Sequence, residues 1–175
     1  FMLFFEAKNS KKGLGKQNGE IIPDDRRAQF SELAAIDNWR KILSNMYHKE
    51  FTLDNKVWWS VEHYIQANKF KSNPQIYAQF SLDSQTELSK NPEMARSFGN
   101  DSIYNKQRYR PKGLNIDGDY NERESYMSAY NAKVAQDPLF SKTLKLTKQA
   151  KLMLRIKRKL PREQIELMTV RKTLV

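Results

Sequence analysis

Nothing constrains this chain more than the stretch from Asp54 to Ser72, DNKVWWSVEHYIQANKFKS, which combines a helix start, two of the three tryptophans and a dense polar cluster. Ser60 stands where an N-cap belongs. Its hydroxyl can accept from the free N–H groups of a first turn, and Val61, Tyr64, Ile65 and Asn68 follow at helical spacing. The pattern predicts a helix over about Val61 to Lys71. On it Glu62 and Gln66 are four residues apart and Lys69 falls one turn further, so a carboxylate, an amide and an ammonium share one side, with His63 beside them. A carboxylate in the first turn faces unpaired N–H groups and the positive end of the helix dipole, a setting that suits an anion. Turned to a cleft, Glu62 would hold a water as general base or stabilise an oxocarbenium-like centre. Turned to solvent, it would be an ordinary capping glutamate, and spacing alone admits both.

Lys56, Trp58, Ser60, Val61, Glu62, His63, Tyr64, Gln66, Ala67, Lys69 and Phe70 resemble the pattern Lys-x-Trp-x-Ser/Thr-Val-Glu-His-Tyr-x-Gln-Ala-x-Lys-Phe of the NADAR, or YbiA-like, family. Upstream, Leu43 to Tyr47 and Phe51 to Asp54 look like that family's Ser-Asn-aromatic turn and the short strand before its helix. Leu167, Met168, Val170, Arg171 and Leu174 look like its closing helix. The resemblance implies an α+β fold, predominantly α-helical, in a single YbiA-like domain with a small N-terminal β element. It also implies an enzyme that cleaves the bond between a ribose anomeric carbon and a nitrogen, with the family's catalytic glutamate falling on Glu62. Family substrates are phosphoribosylamino intermediates of riboflavin synthesis or ADP-ribosylated guanine, and the chemistry needs no metal or redox cofactor.

Charge bears on the choice of partner. The formal net charge is +11 and the pI about 9.7, an excess that attracts polyanions and exceeds what a small phosphorylated substrate needs. Nucleic acid is therefore a candidate partner, against a merely solubilising lysine-rich surface. The chain has no cysteine and only two histidines, so thiolate metal sites, cysteine nucleophiles and disulfides are out and a histidine-rich metal site has too few ligands. No apolar run approaches the roughly 18 residues of a membrane span, and an intracellular, non-membrane protein is expected.

Phe1 to Lys8 reads as a short strand. The loop KNSKKGLGKQNGE after it places Lys16 among glycines, where it would hold a phosphate or simply belong to a flexible surface. Asp24 to Ser44 reads as one or two helices with Trp39 in the core, and Arg40 would reach a phosphate or form an ion pair. Asn45 offers a donor and an acceptor to a ribose, or caps its own turn. Helices are expected again at Ile76 to Phe80, Glu93 to Phe98 and Asp119 to Val134. The turn-rich Asn100 to Gly118 interleaves Tyr104 and Tyr109 with Arg108, Arg110 and Lys112, which suits nucleic-acid contact or a solvated loop. By the resemblance Tyr120 replaces a family tryptophan and would stack a base, while the family's basic position before it falls on Asp117 without gaps or on Arg110 if the glycine-containing loop between them is an insertion.

From Asp137-Pro138 through Ser141 to Leu160 the pattern predicts one long amphipathic helix, stopped by Pro161, with Lys142, Lys145, Lys148, Lys151, Arg155, Arg158 and Arg162 in one basic stripe. The stripe would bind nucleic acid or be a solvated face. A last helix is expected within Pro161 to Leu174. The family's acidic Trp-Gly-x-Gly loop is missing here. The leading expectation is an N-glycosidase in which Glu62 is catalytic, Gln66, His63 and Asn45 hold the ribose, Lys69, Lys16 and Arg110 hold phosphates, and Tyr120 stacks the base. Its rival is an inactive family-derived module that binds nucleic acid through the stripe.

Overall fold

Helices joined to short strands make up the computed structural model, which describes residues 1–174 and has the mostly helical α+β character that the sequence predicts. The chain forms two units, residues 1–47 with the chain from 133 onward, and residues 48–132. Among the described residues no helix is long and apolar enough to cross a membrane.

The first unit opens with β1 (Met2–Phe5), whose alternation buries Leu3 and Phe5. Three short helices follow the glycine-rich loop: α1 (Asp24–Arg27), α2 (Ser31–Ala34) and α3 (Trp39–Ile42). The loop is tightly held. Gly15 at φ 127° and Gly19 at φ 72° turn the chain, so that the Glu20 carboxylate accepts from the N–H groups of Phe4 at 2.8 Å and Gly15 at 3.1 Å. Arg40 of α3 closes a two-pronged ion pair with Glu20 at 2.7 and 2.8 Å, and both side chains are fully buried. The same guanidinium donates to the carbonyls of Lys11 and Gly13, each at 2.9 Å, and to that of Phe4. Trp39, buried as expected, ties down Lys12 through its indole N–H at 2.9 Å. Of the two readings of Arg40, the structure adopts the ion pair.

The second unit begins with the antiparallel hairpin β2 (Phe51–Leu53) and β3 (Lys56–Trp58), turned through Asp54 and Asn55 at φ 55° and 59°, the positive angles that a tight hairpin demands. Helix α4 (Val61–Asn68) starts at Ser60, whose hydroxyl accepts from the His63 N–H. It stops short of Lys71 because tertiary partners replace helical ones: the Lys69 carbonyl accepts from Asp117 N–H at 2.8 Å, and Ser72 N–H donates to the Asp117 carboxylate at 2.8 Å. Helices α5 (Pro74–Gln79) and α6 (Pro92–Asn100) each begin with an Asn cap followed by Pro, at Asn73 and Asn91. Edge-to-face contacts of Phe98 with Phe70 at 5.3 Å and Phe80 at 5.0 Å pack α6 on the turns after α4 and α5. A small hairpin, β4 (Ile103–Tyr104) and β5 (Gln107–Arg108), precedes α7 (Glu122–Gln136), which carries the chain back into the first unit.

There α8 (Pro138–Leu146), capped by Asp137, ends after nine residues. The helix expected from Asp137-Pro138 begins there but does not continue to Leu160. Instead β6 (Lys151–Leu154) pairs in parallel with β1, and β7 (Arg162–Glu163) pairs antiparallel with β6, giving the sheet order β1-β6-β7. Strand β1 needs a partner for its N–H and C=O groups, and the Leu152-Met153-Leu154 run supplies one, so long-range pairing overrides local helix preference. Lys142 and Lys145 therefore lie on α8, Lys148 in a left-handed turn at φ 54°, Lys151 on β6, and Arg155 and Arg158 in the loop beyond. They form no single helical stripe. Helix α9 (Ile165–Arg171) closes the unit.

Candidate active site

Glu62 lies in the first turn of α4 and is 4% exposed, which removes the solvated-cap reading. One helical turn on, Gln66 Nε2 donates to Glu62 Oε1 at 2.7 Å. From α6, Arg96 Nε reaches the same oxygen at 3.4 Å, with its side chain 48% exposed. Glu62 Oε2 has no hydrogen-bond partner among the described residues. One oxygen is thus held from two sides and the other left uncommitted.

Gln66 is itself wedged. Its Oε1 is buried without a partner among the described residues, and a Cβ on Gly99 of α6 would stand 1.7 Å from that atom and 2.6 Å from Gln66 Cδ. Only glycine admits Gln66 in the orientation that serves Glu62. Gly99→Ala is expected to expel the Gln66 amide and cost about 1–3 kcal/mol by overpacking. Thermal unfolding checks the stability, and a melting temperature equal to wild type would refute the wedge.

His63 is fully buried, and both its ring nitrogens are engaged within the protein: Nε2 faces the Leu88 carbonyl at 2.9 Å and Nδ1 the Ser60 hydroxyl at 2.7 Å. A carbonyl only accepts, so Nε2 carries the proton and Nδ1 accepts from Ser60. The imidazole, expected to hold a ribose, instead fastens the start of α4 to the Leu88 carbonyl. Burial, and secondarily the charge of His48, pushes it down to about 4, opposed by its bond to Leu88. The unfolded chain takes up this proton as pH falls through about 6.5, whereas the folded chain resists until about 4. Stability is therefore undiminished above that window and is lost across it on acidification, by about 3 kcal/mol. Urea titrations at several pH values should show this slope flattened in His63→Asn; an unchanged slope would exclude His63 as its source.

Lys69 stands half-buried at the end of α4 and donates to Asn100 Oδ1 at 3.1 Å and the Gly99 carbonyl at 3.4 Å. Burial lowers its pKa and Arg110 adds to that, while the Glu62 and Glu122 carboxylates pull the other way. Arg110 stacks on Phe70 at 5.2 Å and gives Nε and Nη2 to the carbonyls of Phe98 and Gly99 at 3.0 and 2.6 Å. Most of its donors thus close the end of α6, where a cation complements the helix dipole. Tyr120 lines a polar cleft of about 420 Å³ with Tyr64, Asn68, Asp117 and Asp119. Its hydroxyl is pushed up to about 12, by burial first and then by the Glu122 and Glu62 carboxylates. Glu62 lies outside that lining.

The second unit thus brings Glu62, Gln66, Lys69, Arg110 and Tyr120 into one neighbourhood. Asn45, in the turn after α3, and Lys16, exposed on a short helical turn, belong to the first unit. Sequence reasoning missed Arg96 and Gly99, which stand 34 and 33 residues from Glu62 and Gln66 and carry no local signal of their own. Among the described residues no group of three or more His, Asp or Glu side chains is placed to hold a metal ion.

No family model matches the chain, and no curated protein matches it. Among solved structures, the NMR structure of the E. coli protein YbiA is similar, with a TM-score of 0.56 and 20% identity over 77% of this chain and 78% of that one. The chain is built on a YbiA-like fold, the fold that the resemblance between Lys56 and Phe70 implies.

Proposed function

We propose that on this YbiA-like fold the chain hydrolyses a ribosyl N-glycosidic bond, with Glu62 as the catalytic carboxylate. The observation that carries the reading is the Glu62 carboxylate itself: buried, gripped at Oε1 by Gln66 and Arg96, with Oε2 uncommitted. Bound ribose would lie with its anomeric carbon over Oε2. As the C–N bond breaks, its electron pair leaves with the base nitrogen and positive charge develops on the sugar, which the fixed carboxylate stabilises. Oε2 takes a proton from the attacking water as the water oxygen bonds to the anomeric carbon, and that proton passes on to the leaving nitrogen, which restores the carboxylate.

The surrounding groups fit a phosphorylated ribosyl substrate. Arg96 has an exposed guanidinium beside the carboxylate, and Lys69 adds a second cation, so phosphate oxygens would meet two donors. Tyr120 would stack the leaving base. An ADP-ribosylated guanine and a phosphoribosylamino-pyrimidine both meet these demands.

The test is product release from a guanine-ADP-ribosylated oligonucleotide, from free ADP-ribosyl-guanosine and from a phosphoribosylamino-pyrimidine. Turnover of at least one is expected, with both the free sugar product and the intact base recovered. If all three survive incubation with the wild-type chain, the proposal falls.

A further inference from the structure

The whole positive excess of the chain lies on the unit that does not hold Glu62. Residues 1–47 and 133–175 carry 20 lysines and arginines against nine acidic side chains, whereas residues 48–132 carry 11 of each. Within the first unit the loop between β6 and β7 is the densest stretch: Arg155, Lys157, Arg158, Lys159 and Arg162 fall within eight residues that contain no acid. The glycine-rich loop adds Lys8, Lys11, Lys12 and Lys16, and its one acid, Glu20, is turned inward onto Arg40.

These two loops meet. The Arg155 guanidinium lies 4.2 Å over the Phe4 ring and donates to the Asn18 carbonyl. A Cβ on Gly19 would stand 2.7 Å from Arg155 Nη2, so the left-handed glycine lets the two loops approach. Lys12 is neutralised by Asp37 at 2.8 Å. Lys11, Lys16, Lys157, Arg158 and Lys159 are exposed and have no acidic partner among the described residues.

We infer that the glycine-rich loop and the β6–β7 loop, joined at Arg155, form a surface that binds the phosphate backbone of a nucleic acid without reading its sequence. Unpaired cations on two adjoining loops match a ligand of closely spaced charges, since duplex DNA carries one negative charge per about 1.7 Å of axis and releases counterions on neutralisation. Among the described residues the large apolar side chains exposed on these two connections are Leu160 and Ile21, the residue after Glu20, each at 88%, which is little for an anionic membrane, where binding strength grows with buried apolar area. The inference stands apart from the glycosidase reading, because it concerns binding of an unmodified strand by the other unit.

Fluorescence anisotropy with an unmodified labelled oligonucleotide, single-stranded and duplex, over a series of salt concentrations tests it. The combined change Lys157→Glu, Arg158→Glu and Lys159→Glu is expected to weaken binding about tenfold or more and to flatten the salt dependence by about two to three phosphate contacts. Lys11→Glu with Lys16→Glu should weaken it less. The control Lys49→Glu, Lys90→Glu and Arg123→Glu, an equal change of net charge on exposed positions of the other unit, should leave it nearly unchanged. Wild-type affinity in the first variant would overturn the inference. So would equal weakening in the control, or tighter retention on phosphatidylcholine–phosphatidylserine vesicles that Leu160→Ser abolishes.

Discussion

Glu62→Gln is expected to lower kcat on any accepted ribosyl substrate by about two to four orders of magnitude, the range typical of removing a general base or a charge-stabilising group. The exchange keeps shape and hydrogen-bonding reach. A carbonyl oxygen in place of Oε1 can still accept from Gln66 Nε2 and Arg96 Nε, which now lie at 2.7 and 3.4 Å. What disappears is the negative charge beside the developing sugar cation and the capacity to take a proton from water. KM should move little, since the change acts on the transition state rather than on ground-state binding. Steady-state kinetics with a thermal melt decide the matter: turnover within about tenfold of wild type, from a protein that melts normally, would remove Glu62 from the chemistry.

Arg40→Met is expected to be the most destabilising single change considered, at about 3–5 kcal/mol, because it strands the Glu20 carboxylate in a fully buried site. It also removes the donors that hold the carbonyls of Phe4, Lys11 and Gly13 and so frees the glycine-rich loop from α3. For a chain of this length the melting temperature should fall by on the order of 10 °C. Adding Glu20→Leu to Arg40→Met should restore part of the loss, since no charge is then left buried. A single variant that melts like wild type would show that this pair adds nothing to the first unit.

Local chemistry made much of this molecule legible from its residues. Ser60 announces a helix start because a short polar side chain accepts from an exposed N–H within a few residues, an interaction that needs no distant partner, and Asn73, Asn91 and Asp137 cap their helices in the same way. The same holds for Glu62 and Gln66, whose separation of four residues on one helix is enough to bring them into contact. Burial of Trp39 follows from its apolar bulk.

Tertiary structure alone decided the rest, wherever the deciding partner is remote in the chain. Whether Glu62 faces solvent or is enclosed depends on α6, which supplies Arg96 and the missing side chain of Gly99. Lys151 to Leu154 has the composition of a helix but lies in a strand because β1, about 150 residues earlier, offers a row of unpaired backbone groups. The lysine-rich stretch is therefore divided among α8, a turn, β6 and the loop beyond it rather than forming one helical stripe. The sequence by itself determined where helices begin, which carboxylate stands on which helix and how much charge the chain carries. Which groups are enclosed and which cations share a surface was settled only by folding, because both depend on contacts between segments whose separation no local pattern encodes.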